Sequence, residues 1–340
     1  MKHTHRRLCA WLLAAALAAG LAGCAPGSAQ KDGPQDAVGA EAVQTLFNGG
    51  AAINDSSAEA KLLEGKVVEV PTLYYQQFGA DPKLGDDAAK TYGGWQKSNV
   101  KLNLEKTAIV IMHAAYVGEA EQAPEQFQYC EYVPRSYRLA KENFPAILEA
   151  ARAAGVKVYH VPFGAGYYED LPGYIETQAL GAEPSYAPRD TAEADEVLKE
   201  LYSFKDDHVT PGPGAWDGII EARKKYADFL PEAKPVGNEP IAVTANELAA
   251  VAKRDGINHL IYMGFAVDAC LLLSEGGMQS MQARGFLCSA VKDCVTAVEN
   301  RESTPSKHHT DTALWRIATS FGFVYESKDL CSAFELITQS

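Results

Sequence analysis

From about residue 104 onward, apolar and polar positions alternate between strand-like and helix-like periods. Thr107–Met112 (TAIVIM) is a continuous apolar run, as expected of a strand buried on both faces. Leu139–Ala154 places Phe144, Ile147, Leu148 and Ala151 at helical spacing and stops at Gly155. Val156–Val161, His259–Phe265 (HLIYMGF) and Phe286–Val291 read as further strands, and Phe323–Tyr325 as a short one. Helices are expected over 193–203, 217–229, Asp268–Arg284, Thr310–Phe321 and Ser332–Ile337. Thr244 and Glu247 form a capping box that opens a helix running to Arg254. Strands separated by helices predict an α/β fold, a mostly parallel sheet with helices on both faces. Sites in such folds lie beyond the C-terminal ends of the strands, here after Met112, Val161 and Phe265.

The pattern before residue 104 differs. Residues 66–98 carry Tyr74, Tyr75, Phe78, Tyr92 and Trp95 among polar residues and read as an irregular N-terminal arm on the domain. Residues 24–65 read as a flexible tether, rich in Ala, Gly, Ser, Asp and Gln over 25–60. Residues 1–23 have the form of a signal peptide: Lys2, Arg6 and Arg7, then an apolar run from Leu8 to Leu21 that is short for a membrane span. The run ends in Leu21-Ala22-Gly23-Cys24, which resembles the lipobox of bacterial lipoproteins. That resemblance implies acylation of Cys24 and a lipid anchor on the extracytoplasmic side of the cell membrane. An ordinary secretory signal or an uncleaved anchor is the alternative. The residues around Arg6-Arg7 fit twin-arginine export poorly.

Composition narrows the picture further. Across 340 residues, 47% are hydrophobic and 22% charged, ordinary for a globular domain. The net charge of −13 argues against a nucleic-acid partner, which calls for clustered Lys and Arg. Seven cysteines are present. With Cys9 in the signal and Cys24 lipidated, Cys130, Cys270, Cys288, Cys294 and Cys331 remain. An odd number leaves at least one thiol unpaired unless chains are bridged, and an oxidising compartment permits but does not require disulfides.

Cys270 stands out. It falls in the first turn after the His259–Phe265 strand, where free amide groups and the positive end of a helix dipole would lower a thiol pKa and could hold an oxyanion. A buried structural cysteine is the plain alternative. The segment Gly264-Phe-Ala-Val-Asp268-Ala-Cys270 resembles the Gly-x-x-Thr-Asp-x-Cys pattern of the isochorismatase-like cysteine hydrolases. In order along the chain, Thr107–Met112 looks like the family's first strand, Ala150–Val161 like its helix and second strand, the stretch from Lys234-Pro235 like its lysine-bearing loop, and Phe286–Asp293 like the strand after the nucleophile helix.

The resemblance spans roughly residues 70–335, within an isochorismatase-like domain at 66–340. It implies a Rossmann-like fold and hydrolysis of a C–N bond in a small amide or carbamoyl compound, through a triad of Asp, Lys and Cys. The Cys would be Cys270 and the Lys Lys234, with Lys205 and Lys224 as weaker rivals. A non-proline cis peptide would fall at Phe265–Ala266, and with Ala269 these residues would shape the oxyanion turn. Homo-oligomers are common in the family. The family's Asp position aligns with His113, and no Asp or Glu occurs between Lys106 and Gly118. His113 could act as general base to the thiol, or serve as a hydrogen-bonded core residue, or mark a site that has lost hydrolysis. Val267 stands where the family has Thr.

Other candidates are weaker. His160 ends a strand, but the residues after it lack the Asp-x-His ligands of the nicotinamidases, so no metal and no cofactor is expected. His308 and His309 read as exposed or capping. Tyr116, Phe163, Tyr167, Tyr168 and Trp216 fall in loops or in the long insertion, where some could line a pocket. The leading expectation is an exported cysteine hydrolase. The alternatives are a non-catalytic lipoprotein that binds a small molecule on the same fold, and a redox role for Cys270 with a second thiol.

Overall fold

The computed structural model describes residues 59–77, 83, 91–164, 166–182, 193–209 and 216–339. The signal segment, Cys24 and nearly all of the tether lie outside them. The strands are β1 (Lys61–Leu62), β2 (Val67–Gln76), β3 (Gly94–Asn103), β4 (Thr107–Met112), β5 (Ala115–Tyr116), β6 (Lys157–Val161), β7 (Asp228–Phe229), β8 (His259–Phe265), β9 (Leu287–Thr296) and β10 (Val324–Tyr325). The helices are α1 (Pro124–Tyr129), α2 (Val133–Ala153), α3 (Pro172–Leu180), α4 (Glu196–His208), α5 (Trp216–Tyr226), α6 (Ala245–Arg254), α7 (Cys270–Leu273), α8 (Met278–Gln282), α9 (His308–Ser320) and α10 (Ser327–Thr338).

Every residue of β4 and β8 is buried, as their unbroken apolar runs require. The main sheet runs β1-β2-β10-β9-β8-β4-β6, with β3 also on β2. From β10 to β6 all neighbours are parallel. Alternate side chains feed two cores. Val110, Met112, Tyr159 and Tyr262 pack under α6, α8 and α9, while Ile109, Ile111, Ile261 and Met263 pack under α2 and α10. This is the α/β layering that the strand and helix periods predict. The chain leaves β4 for β6 on one side and later enters β8 on the other. The C-terminal ends of β4 and β8 therefore flank a topological switch, where such sheets open a crevice.

Three expectations need correction. The segment 66–98 is largely sheet: β2 and β3 pair antiparallel over ten residues, and β2 joins β10. Alternate residues Val68, Val70 and Thr72 are buried, which gives the segment a core face despite its polar composition. The helix expected over Asp268–Arg284 is two short helices, α7 and α8. The break falls at Gly276-Gly277, where a Cβ on Gly277 would lie 2.8 Å from the Cys270 carbonyl oxygen. The helix expected over 217–229 stops at Tyr226, because Phe229 turns into β7 and pairs with Ala115. Elsewhere the boundaries shift while the element types hold. The helix before β6 starts at Val133, with proline in its first turn, and β9 runs on to Thr296. The Thr244–Glu247 capping box is present at the start of α6.

Candidate active site

His113 is the first residue past β4. Its amide donates to the Val161 carbonyl at 2.8 Å, and its backbone turns into the left-handed region at φ 53°. A side chain other than glycine is uncommon there, although histidine tolerates it better than most. Burial pulls the imidazole pKa down to about 4, so the ring is neutral at pH 7. Nδ1 is buried without a hydrogen-bond partner, and the ring meets the edge of Phe163 at 5.3 Å between centroids.

Opposite His113, β8 comes unusually close to β4. A Cβ on Gly264 would sit 1.9 Å from the Met112 carbonyl oxygen, and φ there is +130°, so only glycine allows this approach. The Phe265–Ala266 peptide is cis, at the position the resemblance implied. Phe265 stacks on Phe144 with centroids 5.9 Å apart. Val267 is fully buried and donates its amide to Thr296, so an apolar side chain suits the position where the family has Thr. Ala269 caps α7, and Cys270 is its first residue. The sheet thus delivers His113 and Cys270 to the same end of adjacent strands.

The electrostatics at Cys270 differ from the expectation. Burial pushes the thiol pKa up and outweighs the other influences. The Ser274 hydroxyl, the Ala266 backbone and the Arg223 charge act to lower it, while Asp268 acts to raise it. A helix of only four residues supplies little dipole, so an activated thiolate does not follow from the fold. Asp268 is held by a 2.9 Å bond from the Val298 amide to Oδ1, and burial raises its own pKa. Burial alone accounts for the shift at His113, with no contribution from Cys270.

Lys234 does not join this group. It is about half exposed and paired with Asp228 at 2.8 Å. Its rivals are also on the surface: Lys224 pairs with Glu221, and Lys205 is exposed on α4. The cation beside Cys270 is Arg223 of α5, which sequence reasoning missed. Its guanidinium lies 4.9 Å from the Phe163 ring centroid and 5.8 Å from that of Trp216. Its charge also acts on Tyr132 and Cys130. The helical period was the available signal: Ile219 and Ala222 are buried, and Arg223 lies one turn from Ile219 on the inward side.

Of the five aromatic candidates, Phe163 and Trp216 reach the site. Tyr116 stacks on Tyr137, and Tyr167 and Tyr168 pack around Phe229 and Tyr174. His160 is fully buried, with Nε2 2.9 Å from Glu239, whose carboxylate also accepts two bonds from Arg152. His309 is held by Nδ1 against the Val298 carbonyl, and its amide donates to Glu299. All five described cysteines are free thiols. Among the described residues no group of three or more His, Cys, Asp or Glu could hold a metal, and no helix is long and apolar enough to cross a membrane.

Comparison with solved structures returns matches at low identity. A cysteine hydrolase from Pseudomonas syringae pv. phaseolicola 1448A is 16% identical, with 69% of this chain and 95% of that one covered and a TM-score of 0.42. An isochorismatase from Pseudomonas putida KT2440 is 15% identical, covering 66% and 90%, with a TM-score of 0.37. An isochorismatase family protein from Desulfovibrio vulgaris subsp. vulgaris str. Hildenborough is 15% identical, covering 66% and 96%, with a TM-score of 0.38. Comparison with curated proteins gives no match. A family model, the isochorismatase domain, matches residues 126–329, from α1 into α10. The matched stretch takes in β6, β8, the Cys270 turn and β9, and begins after His113. It covers more than half of the chain, and by it the chain belongs to the isochorismatase family, whose members are hydrolases.

Proposed function

We propose that this protein is a cysteine hydrolase that cleaves the C–N bond of a small amide or carbamoyl compound. The observation that carries the reading is the placement of His113 and Cys270 beyond the C-terminal ends of adjacent parallel strands, in a fold whose family members are hydrolases. Cys270 Sγ attacks the substrate carbonyl carbon as its proton passes to His113. The imidazole is neutral at pH 7 and so has a free site for that proton, but burial that lowers its pKa to about 4 makes it a weak base, so proton transfer is the costly part of this step. The backbone of the Phe265–Cys270 turn supports the negative charge on the carbonyl oxygen. The C–N bond then breaks, and the amine leaves with the proton from His113. Water, deprotonated by the same imidazole, attacks the thioester and frees Cys270. Arg223 takes the place of the family's lysine as the local positive charge. We also propose that the chain is exported and held at the membrane by lipid on Cys24, as the lipobox-like sequence suggests.

A second reading has its own support. The raised thiol pKa and the missing carboxylate base both suit a binding protein without turnover. A panel of small amides, offered to the wild type, Cys270→Ala and His113→Asp, separates the two. Turnover by the wild type that disappears in Cys270→Ala supports the hydrolase. Turnover appearing only in His113→Asp supports the binding protein.

A further inference from the structure

The last pairing between β8 and β9 joins Phe265 to Thr296, and the chain then continues as the segment 296–299 beside the Cys270 turn. Two bonds tie this segment to the turn. The Val267 amide donates to the Thr296 carbonyl at 2.9 Å, and the Val298 amide donates to Asp268 Oδ1 at 2.9 Å. A second set ties it to the start of α2. Arg135 donates from Nε to Thr296 Oγ1 and from Nη2 to the Ala297 carbonyl at 3.0 Å. Both carboxylate oxygens of Glu131 hold the Arg135 guanidinium, and Glu131 Oε2 also accepts the Glu299 amide at 3.0 Å. A third set comes from α9. The Ala297 amide donates to Thr310 Oγ1 at 3.0 Å, and the buried Glu299 carboxylate accepts the Thr310 hydroxyl and the His309 and Thr310 amides.

The packing of α2 on the sheet does not require the Arg135 bonds, because Ala140, Phe144, Ile147 and Leu148 already supply an apolar face. The charged bonds gather instead on the one stretch that carries the turn. Bidentate arginine–carboxylate pairs fix direction as well as distance, and the Arg135 side chain is only 12% exposed. We infer that Arg135 is a positioning residue for Cys270, setting the Phe265–Cys270 turn through Thr296 and Ala297. The use of that position, attack by Sγ, rests on the hydrolase reading; the hold on the turn stands on the hydrogen bonds alone. Misplacing an attacking atom by about 1 Å can cost about 10²-fold in rate. The competing role is a plain helix-to-strand staple. Asn143 supplies the comparison, since it also joins α2 to β9, by a 2.7 Å bond to the Asp293 carbonyl, ahead of the segment.

Iodoacetamide rates at each cysteine, read by peptide mass spectrometry, test the hold without any need for turnover. Releasing the turn exposes a thiol that the wild type buries. In Arg135→Met, Cys270 should react about tenfold faster than in the wild type, while Cys331 on α10 keeps its rate. Thr296→Val should raise the Cys270 rate about threefold, and Arg135→Lys should fall between the wild type and Arg135→Met. Asn143→Ala should leave Cys270 as it is. On an amide that the wild type turns over, Arg135→Met should lose about 10²-fold in kcat with KM within about twofold. An unchanged Cys270 rate in Arg135→Met overturns the inference. A rise shared by Cys331, or matched in Asn143→Ala, assigns Arg135 to general stability and overturns it too, as does a faster Cys270 with kcat unaltered. Should Arg135→Met fail to fold, Thr296→Val and Arg135→Lys decide by the same readings. A wild type that turns over no amide sinks the hydrolase reading alone, and the alkylation rates still decide whether Arg135 holds the turn.

Discussion

Two buried histidines sit at the ends of neighbouring parallel strands and live in opposite surroundings. His160, in β6, has Nε2 against Glu239 at 2.9 Å, and Glu239 is clasped by Arg152 through two bonds of 2.7 and 2.9 Å. Burial opposes ionisation of Glu239, yet His160, Arg152 and the Val236 amide together bring its pKa down to about 2. Nδ1 lacks a partner in both rings, but His113, just past β4, has no carboxylate acting on it, a left-handed backbone and one aromatic edge beside it. Arg152 and Arg223 repeat the contrast, one with a bidentate carboxylate and the other with only rings and thiols. Where the polar groups satisfy one another, the cluster ties the strand to its neighbouring loop. Under the hydrolase reading, the open groups around His113 are the ones a substrate would meet.

The sharpest way to break this contrast is Cys270→Ala. Turnover should fall at least about 10⁴-fold, while the urea midpoint stays nearly unchanged, because the loss is chemical. Next in size is Glu239→Ala, which leaves Arg152 without its acceptor. Stability should drop by about 3 kcal/mol in urea titration, with kcat per folded molecule retained. His113→Ala should do the reverse. Turnover falls about 10²- to 10³-fold and stability changes by less than about 1 kcal/mol. Equal stability losses in Glu239→Ala and His113→Ala would erase the distinction drawn between the two clusters.

The last expected effect is on pH dependence, and it vanishes at about pH 7. Burial holds both His113 and His259 at about 4, below their ordinary value near 6.5. In each case the unfolded chain binds the proton more readily than the native one. The stability they contribute is therefore complete above about pH 6.5 and is lost as pH falls through 4. Between those limits each histidine adds a slope of up to about 1.4 kcal/mol per pH unit. His113→Asn should make the melting curve against pH shallower by one such share, with no change above pH 7.

Much of this could be read from residue order. β4 and β8 were legible because strands buried on both faces must be apolar throughout, and α6 because its capping box is local. The placement of Cys270 in the turn after β8 was legible for the same reason, since a motif following a strand needs only neighbours in sequence. β2 and β3 were hidden because one face of the pair is polar and Pro71 interrupts the run. The break between α7 and α8 was hidden because Leu271, Leu272, Met278 and Met281 keep an apolar helical face across the two glycines. Arg223 was hidden for a different reason. Between Glu221 and Lys224-Lys225 it looks like any solvated charge, and only long-range packing brings Phe163 over it. Lys234 illustrates the converse: its spacing from Cys270 is suitable, yet Asp228 holds it at the surface.

The central claim is that Cys270 is the attacking atom, and the most direct test is to trap its acyl intermediate. The wild type is mixed with a small amide that it turns over, quenched in acid within the first turnover, and mapped by peptide mass spectrometry. The account predicts an acyl mass added to the peptide containing Cys270, absent in Cys270→Ala and longer-lived in His113→Ala. Turnover that persists in Cys270→Ala, or an acyl group found on Cys130 instead, would contradict it.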